Sequence, residues 1–281
     1  MKPAPFAYER PRSVEAACRI LATRPDAKAI AGGQTLGPML NLRLVQPGLL
    51  VDIARLEELC RVERRKDGTV FGALVTHAAI EDGRVVDPTR GFLAGVAKGI
   101  AYRAVRTRGT MGGSLAHADP AADWLSCLLA LRAEVLIVGA EGRRRTVLAD
   151  FVQGAMTTDL RTGELIEGIF VPQLSPHART GFYKLCRKTG EFADAIGVVV
   201  HDPDGDSLRF VSGATIGRPV VIDDPWDFLP RGAAGQIPSP DDFDLAAAER
   251  RLERSAAADD WYMRRVHAVA LKRALERAHR P

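Results

Sequence analysis

Two glycine-rich segments constrain the fold of this chain more than any other feature of its sequence. The first reads AGGQTL over residues 31–36, and the second reads TMGGSLAHADP over residues 110–120. Adjacent glycines let backbone N–H groups approach a phosphate because no Cβ is in the way, and each segment precedes a predicted helix start. Either pair alone is typical of a tight turn, whereas the two together indicate a divided clamp for a phosphate-bearing cofactor.

The first segment lies between a predicted strand and a predicted helix. Residues 28–31 form a short apolar run, and residues 36–43 can form a short helix with Pro38 in its first turn. This order directs free N–H groups and the positive end of the helix dipole at an anion, and Gln34 and Thr35 add side-chain hydrogen bonds. The alternative interpretation is an ordinary tight turn.

The second segment leads into a largely apolar helix predicted over residues 121–131, with Asp119 as its N-cap and Pro120 at its first position. Asp123 lies in the first turn but is not needed for a capping box, because Ala122 occupies that position. Its carboxylate is therefore available for a cofactor hydroxyl, or it merely complements the helix dipole. His117, inside the segment, either contacts the cofactor or satisfies loop backbone groups.

Several other functions have no support in the sequence. Glycine spacing does not match G-x-G-x-x-G or the P-loop, and there is no G-x-S-x-G elbow. The six histidines never pair at metal-ligand spacing, and the four cysteines contain no C-x-x-C pair, so no metal or iron–sulfur site is predicted on this chain. No residue is predicted to act as a catalytic proton donor or acceptor.

The charged residues indicate a surface that carries both positive and negative side chains. The 39 basic residues nearly balance 35 acidic residues, for a net charge of +4, so we expect no nucleic-acid partner. Arg143 to Arg145 are interpreted as a solvated turn entering a strand. The scattered cysteines suggest reduced thiols, no signal-peptide run precedes the first strand, and no segment approaches membrane-spanning length. We therefore expect a cytoplasmic protein without a transmembrane segment.

The pattern of apolar runs predicts an α+β protein. Strand-like and helix-like segments alternate through the first part of the chain, and residues 181–184, 196–201 and 208–215 then read as antiparallel strands. Helices are predicted over 245–254 and 259–279, the last with an apolar stripe formed by Leu271, Ala274, Leu275 and Ala278. Residues 223–244 are rich in Pro, Gly and Asp and have no assigned structure.

Residues 31–53 and 107–124 together resemble the FAD-binding medium subunit of molybdenum hydroxylases, of the carbon monoxide dehydrogenase and xanthine dehydrogenase type. The segments GALVTH (72–77), GFYKLCRK (181–188) and GEFA (190–193) are similar to that family too. The resemblance spans about Pro3 to Gly217 and returns weakly in the last helix. At three positions the chain differs from the residues that are usual in that family: Gln34 stands in place of His, Met111 in place of Ile or Leu, and Ser114 in place of Asn. All three differences preserve size or hydrogen-bonding capacity.

The resemblance implies a fold and a set of partners. A two-part α/β FAD-binding domain of the vanillyl-alcohol-oxidase-like type is expected over 1–175, with an inner boundary near 55–60, followed by a smaller α+β domain over 176–281. FAD on this chain would take electrons from two [2Fe-2S] clusters on a small iron–sulfur subunit and pass them to an external acceptor. A large molybdenum-cofactor subunit would hydroxylate the substrate. A dimer of heterotrimers is expected, which could dock at the inner face of the membrane.

The resemblance also implies which residues bind the cofactor. Residues 30–35 and 110–114 would bind the diphosphate and ribityl groups, Asp123 the sugar hydroxyls, and Phe192 would cover the isoalloxazine ring unless it is an ordinary core phenylalanine. The full predicted set is Ile30, Ala31, Gly32, Gly33, Gln34, Thr35, Leu36, Ile100, Thr110, Gly112, Gly113, Ser114, His117, Asp123, Ile166, Lys184 and Phe192.

Two alternatives remain open: a flavin-free scaffold subunit, against which the intact glycines argue, and a stand-alone flavin oxidase.

Overall fold

The computed structural model describes residues 2–231, 235–255 and 257–280. Within these residues the chain forms ten α-helices and fourteen strands in four sheets. In chain order the elements are β1 (Ala7–Glu9), α1 (Val14–Thr23), β2 (Ala27–Ile30), α2 (Leu36–Asn41), β3 (Leu49–Asp52), β4 (Val62–Arg64), β5 (Gly68–Gly72), α3 (His77–Glu81), α4 (Phe92–Lys98), α5 (Arg103–Arg106), α6 (Met111–His117), α7 (Asp123–Ala130), β6 (Glu134–Gly139), β7 (Gly142–Val147), α8 (Leu148–Phe151), β8 (Val152–Gly154), β9 (Thr157–Thr158), β10 (Leu165–Pro172), β11 (Arg179–Leu185), β12 (Ala195–Asp202), β13 (Ser207–Gly213), β14 (Val220–Ile222), α9 (Leu245–Arg254) and α10 (Trp261–Ala278).

The first sheet is parallel and has three strands in the order β1-β3-β2. Helix α1 connects β1 to β2, and α2 precedes β3, which is the crossover that parallel strands require. The buried face of α1 packs on β3 through Val14 and Leu21, and it reaches Val138 and Leu165 of the next sheet. A shared apolar cluster therefore joins the first sheet to the second.

The second sheet is antiparallel, with the order β4-β5-β10-β6-β7, and helices α3, α4, α6 and α7 pack in the apolar cluster beside it. Arg143 to Arg145, which we interpreted as a solvated turn, lie in strand β7 instead. The guanidinium group of Arg143 donates to Glu167, that of Arg144 donates to Glu164, and that of Arg145 donates to Glu134. Ion pairs with carboxylates on β6, on β10 and in the turn before β10 therefore account for the basic run.

The third sheet, β11-β12-β13-β14, is antiparallel as the sequence predicts. Helix α7 packs against β12 and β13, and α10 packs against β11 and β12. Because helices cover both faces, the central strand β12 is buried along nearly its whole length, which explains its continuous apolar run. The predicted apolar stripe of α10, which includes Leu271 and Leu275, is fully buried in this layer.

The segment 223–244 packs on the third sheet. Phe228 and Phe243 contact each other and Phe210 of β13, with ring centroids 5.1 to 6.4 Å apart. Asp223 accepts hydrogen bonds from Arg209 at 2.6 Å and from Arg132 at 3.0 Å. The described part of this segment thus covers the sheet with aromatic side chains, and residues 232–234 lie outside the described residues.

The helix predicted over residues 121–131 begins later than expected. Its first residue is Asp123 and its N-cap is Ala122. Asp119 does not cap the helix, because its Oδ1 accepts from the Ala121 N–H and its carbonyl from the Ala122 N–H, both at 2.9 Å. These two bonds close a separate turn around Pro120, which uses the Asp-Pro pair as a turn instead of a helix start.

Helix α10 lies close to the third sheet at two glycines. A Cβ on Gly197 would lie 2.2 Å from the Ala270 carbonyl oxygen, and a Cβ on Gly181 would lie 1.9 Å from that of Ala274. Both obstacles are backbone atoms and cannot rotate away. The glycines therefore set the distance between α10 and strands β11 and β12.

We expect Gly197→Ala to lower the free energy of unfolding by about 1–3 kcal/mol, because the added methyl must push α10 off the sheet. Gly217→Ala is the matched control, since a Cβ there meets nothing within 4 Å. Chemical denaturation of both variants checks the expectation. Equal stability of the two variants would show that the glycine does not set this packing distance.

Candidate functional site

A cleft of about 620 Å³ lies where the three larger parts of the fold meet. The β2–α2 connection, helix α6, the start of α7, the turn before β10 and the β11–β12 connection contribute its walls. All seventeen residues that the sequence analysis selected for cofactor binding line this cleft. The volume falls in the range of about 300–1,000 Å³ that is usual for small-molecule and cofactor sites.

The first glycine segment supplies unpaired backbone donors. Gly33 has a φ of +72°, a conformation that favours glycine, and its carbonyl accepts from the Gly37 N–H at 2.9 Å as α2 begins. Within the part of the chain that the structure describes, the N–H groups of residues 32–35 donate to no protein acceptor. A row of free N–H groups at a helix start is the arrangement that binds phosphate oxygens.

The first glycine segment contacts the backbone that directly precedes the second. A Cβ on Gly32 would lie 1.8 Å from the carbonyl oxygen of Arg108, which directly precedes Gly109 and the second segment. Any side chain at position 32 would therefore separate the two walls of the cleft. The first glycine of the pair is required by this backbone contact, and the second by its dihedral angle.

The second glycine segment differs from the expected loop because it forms the first turn of α6. Thr110 caps this helix by accepting from the Gly113 N–H at 3.1 Å. The N–H groups of Met111 and Gly112 donate to the carbonyls of Val75 and Ala73, both at 3.0 Å. The backbone N–H groups of residues 111–113, which we predicted to bind a phosphate, are thus already engaged, the first two because the β5–α3 connection lies against this helix start.

Packing explains the glycine at position 112, since a Cβ there would lie 2.5 Å from the Cβ of Ala73. This wall therefore lines the cleft with side chains, among them those of Ser114 and His117. Hydroxyl and imidazole groups can donate or accept hydrogen bonds. The second segment contributes shape and polar side chains, whereas the first contributes backbone donors.

Asp123, the first residue of α7, has one carboxylate oxygen bonded and one without a partner. Its Oδ2 accepts from the Lys184 Nζ at 3.0 Å, and both side chains are at most one-tenth exposed. Its Oδ1 is buried and has no hydrogen-bond partner among the described residues. Burial raises the pKa of the Asp123 carboxyl, while the positive charge of Lys184 opposes that rise.

A buried hydrogen-bond acceptor without a donor lowers the stability of the folded chain, so the unpartnered Oδ1 of Asp123 is an unusual group in this cleft. A ligand hydroxyl could satisfy it. The ion pair also connects two parts of the fold, because Asp123 belongs to the helical layer beside the second sheet and Lys184 to strand β11 of the third. The sequence analysis selected both residues but did not predict that they contact each other.

Phe192 lies at the rim of the cleft and is 71% exposed. The alternative that it is an ordinary core phenylalanine is therefore wrong. Its loop is held by Gly190, which has a φ of +92° and whose Cβ would lie 3.0 Å from the Tyr102 ring. An exposed aromatic ring at the mouth of a cleft can cover a planar ligand.

Sequence reasoning missed several lining residues. Gly163, with a φ of +83°, forms the turn before β10, and the polar pair Thr162-Gly163 is the signal that could have identified it. His77 and Trp124 also line the cleft, and the Trp124 Nε1–H donates to His77 Nδ1 at 2.9 Å. His77 stands in the segment GALVTH, to which the sequence analysis assigned no chemical role.

The described residues hold neither a candidate metal cluster nor a candidate membrane span. They contain no group of three or more His, Cys, Asp or Glu side chains that could hold a metal ion. None of their helices is long and apolar enough to cross a membrane.

The residues that could hold a dinucleotide in this cleft form a consistent set. Free N–H groups suit a diphosphate, the unpartnered oxygen of Asp123 suits a sugar hydroxyl, and apolar side chains such as Ile100 and Ile166 suit a ring. These observations on the chain itself fit a flavin dinucleotide.

Comparison with known proteins agrees with this geometry. The family described as FAD binding domain in molybdopterin dehydrogenase matches residues 4–174. Among curated relatives, the nicotine 6-hydroxylase medium subunit of Paenarthrobacter nicotinovorans is 35% identical, over 82% of this chain and 81% of the relative. The carbon monoxide dehydrogenase medium chain of Afipia carboxidovorans is 30% identical, over 99% of this chain and 98% of the relative.

Solved structures show the same fold. A chain of carbon monoxide dehydrogenase from Hydrogenophaga pseudoflava superposes with a TM-score of 0.89 at 31% identity, over 99% of this chain and 98% of the other. A chain of quinoline 2-oxidoreductase from Pseudomonas putida 86 gives a TM-score of 0.85 at 30% identity, with 99% and 98% coverage. The chain belongs to the family of FAD-binding medium subunits of molybdenum hydroxylases.

Proposed function

We propose that the cleft binds one FAD and that this chain is the electron-transfer subunit of a multi-subunit molybdenum hydroxylase. The observation that carries the proposal is the unpartnered, buried Oδ1 of Asp123 in a cleft that also presents the free N–H groups of residues 32–35. An acceptor and a row of donors in one cleft complement the hydroxyl and phosphate groups of a flavin dinucleotide.

Each wall of the cleft then binds a different part of FAD. Residues 32–35 hold the diphosphate, and the side chains of Ser114 and Asp123 hold the ribityl hydroxyls. Lys184 donates to Asp123 Oδ2 and fixes the orientation of the side chain, and its positive charge favours the carboxylate form, in which the free oxygen accepts from a ligand hydroxyl. Phe192 covers the ring at the mouth and controls how closely another molecule approaches.

When bound, FAD supplies the ability to accept electrons from one redox centre and deliver them to another. The chain's own residues bind and orient the cofactor, and none is assigned a proton-transfer step. Electrons would enter from [2Fe-2S] clusters on a small partner subunit and leave to an external acceptor. Hydroxylation of the substrate would occur on a large subunit that carries the molybdenum cofactor.

The relatives support this division of labour. Their names include a nicotine 6-hydroxylase, a caffeine dehydrogenase, a glyceraldehyde dehydrogenase and carbon monoxide dehydrogenases, which act on molecules of very different size and polarity. Medium chains so similar in sequence among enzymes with such different substrates are what we expect if another chain selects the substrate. The substrate of this complex is therefore not assigned from this chain.

Three further assignments belong to the proposal. We divide the chain into an FAD-binding domain at 1–175, with an inner boundary near 55–60, and a C-terminal domain at 176–281. We expect the complex to be a dimer of heterotrimers. We place it in the cytoplasm, where it could dock at the inner face of the membrane through its partners.

Asp123→Ala should weaken FAD binding by roughly 1.5–3 kcal/mol, the usual contribution of a hydrogen bond to a charged group. Titration of the flavin-free full chain with FAD measures the change, and the wild-type chain should bind about one FAD per chain. Asp52→Asn is the matched control, because Asp52 is equally buried but does not line the cleft. A wild-type affinity in folded Asp123→Ala would contradict the role of this carboxylate.

The chain should copurify with an iron–sulfur protein and a molybdenum-cofactor protein when it is isolated from its own cells. The chain alone should be yellow but should not turn over the physiological substrate, because it lacks a cluster site and a hydroxylation site in our proposal. Tagged purification followed by metal, cluster and flavin analysis checks both points. Full turnover by the isolated chain would favour a stand-alone oxidase, and a colourless complex would favour the flavin-free scaffold.

Phe192→Ala should leave FAD content and reduction by the iron–sulfur partner nearly unchanged, while it alters the rate at which reduced flavin reacts with its acceptor. The reason is that the ring controls access at the mouth and has no hydroxyl to bond the flavin. Trp261→Ala is the control, because Trp261 is also 71% exposed but does not line the cleft. Stopped-flow reoxidation of both variants measures the effect, and identical rates in wild type and both variants would exclude a gating role.

A further inference from the structure

His77 lies between the two walls of the cleft that carry polar side chains. It is the first residue of α3, is buried at 6% exposure, and lines the cleft. Its Nδ1 accepts a hydrogen bond from the Trp124 Nε1–H at 2.9 Å, and its backbone N–H donates to the Gly109 carbonyl at 3.0 Å. One residue therefore connects the start of α7 with the turn that leads into α6.

The protonation state of this imidazole is fixed by its surroundings. Burial, assisted by the positive charge of Arg106, lowers the pKa of His77 to about 4, so the ring is neutral at pH 7. Because Nδ1 accepts from Trp124, the single ring proton lies on Nε2. The hydrogen bond thus selects one tautomer and one ring orientation.

The opposite edge of the ring packs on Gly109. A Cβ on Gly109 would lie 2.7 Å from the His77 Nε2 and 2.8 Å from its Cδ2. Gly109 directly precedes Thr110, which caps α6. The imidazole is therefore a spacer of fixed orientation, with Nδ1 bonded at the α7 wall and the Nε2 edge packed at the α6 wall.

Trp124 transmits this contact to the cofactor site because it follows Asp123 in the chain. Its indole is fully buried, so the ring has little freedom to move independently of the backbone. We propose that His77 is a positioning residue for flavin binding: it holds Trp124 and thereby fixes the direction of the unpartnered Asp123 oxygen. This inference rests on the proposed function, because it concerns the binding of FAD in the same cleft.

Two substitutions separate the nitrogens of the ring. The amide oxygen of His77→Asn can take the place of Nδ1 and accept from Trp124, whereas the longer side chain of His77→Gln places its amide near Nε2 instead. In the flavin-free full chain we expect His77→Gln to weaken FAD binding about tenfold, and His77→Asn to remain within about threefold of wild type. Rescue by Asn is the signature of the bond to Trp124.

The indole N–H resonance of Trp124 gives a readout that needs no flavin. The chain has three tryptophans, so Trp124→Phe assigns this signal. We expect the resonance to keep its position in His77→Asn and to shift in His77→Gln. Trp124→Phe also removes the same hydrogen bond from the other side, and it should weaken FAD binding as His77→Gln does, which provides the test if the Gln variant does not fold.

His267 offers a matched control. It is 1% exposed, burial lowers its pKa to about 4, and its Nδ1 lies 3.1 Å from the Ser212 hydroxyl, but it does not line the cleft. His267→Gln should lower the melting temperature and leave the FAD dissociation constant unchanged. This comparison separates the effect of removing any buried imidazole from the effect of removing the imidazole that holds Trp124.

A double-mutant cycle tests the route through Asp123. In an Asp123→Asn background, His77→Gln should weaken binding less than twofold, because the carboxylate it positions is gone. Additive effects, unchanged FAD affinity in His77→Gln, or equal weakening by Asn and Gln with a preserved indole signal would each overturn the inference. Failure of the wild-type chain to bind FAD would overturn the proposed function as well, whereas those three results leave it intact.

Discussion

The cleft exists because two backbone segments come into contact at Gly32. With no side chain at this position, the β2–α2 connection lies directly against the carbonyl of Arg108, and the parallel sheet is held beside the helical layer of the second sheet. Apolar packing of α1 on both sheets supports the same arrangement. The free N–H groups of residues 32–35 consequently face the side chains of α6 and α7 across a narrow space.

The third sheet joins the rest of the site through the buried ion pair between Lys184 and Asp123. Lys184 on β11 reaches Asp123 at the start of α7, and α7 itself packs on β12 and β13. Burying two charges is favourable only when their geometry is good and their remaining polar atoms find partners. Asp123 Oδ1 has none among the described residues, so the pair makes structural sense with a ligand that donates to it. Under the proposed function, the stability of this junction and the binding of the cofactor are coupled.

Much of the fold followed from local sequence patterns. The antiparallel strands of the third sheet, the apolar stripe of α10 and the strand–turn–helix of the first segment are encoded by short-range periodicity and turn residues, and all three were predicted. The start of α7 was predicted wrongly, because Asp-Pro at 119–120 is compatible with both a helix cap and a separate turn. The basic run at 143–145 was placed in a turn because its acidic partners are far from its neighbours in the chain, on β6, on β10 and in the turn before β10.

The sequence by itself identified the two glycine segments and, through the family that they resemble, seventeen of the residues that line the cleft. Only the tertiary structure decided what each residue can do there. The carbonyls of Val75 and Ala73, in the β5–α3 connection, accept from the N–H groups of Met111 and Gly112, and Lys184 satisfies one oxygen of Asp123 and leaves the other. Such assignments depend on contacts between residues far apart in the chain, and local propensity carries no information about them.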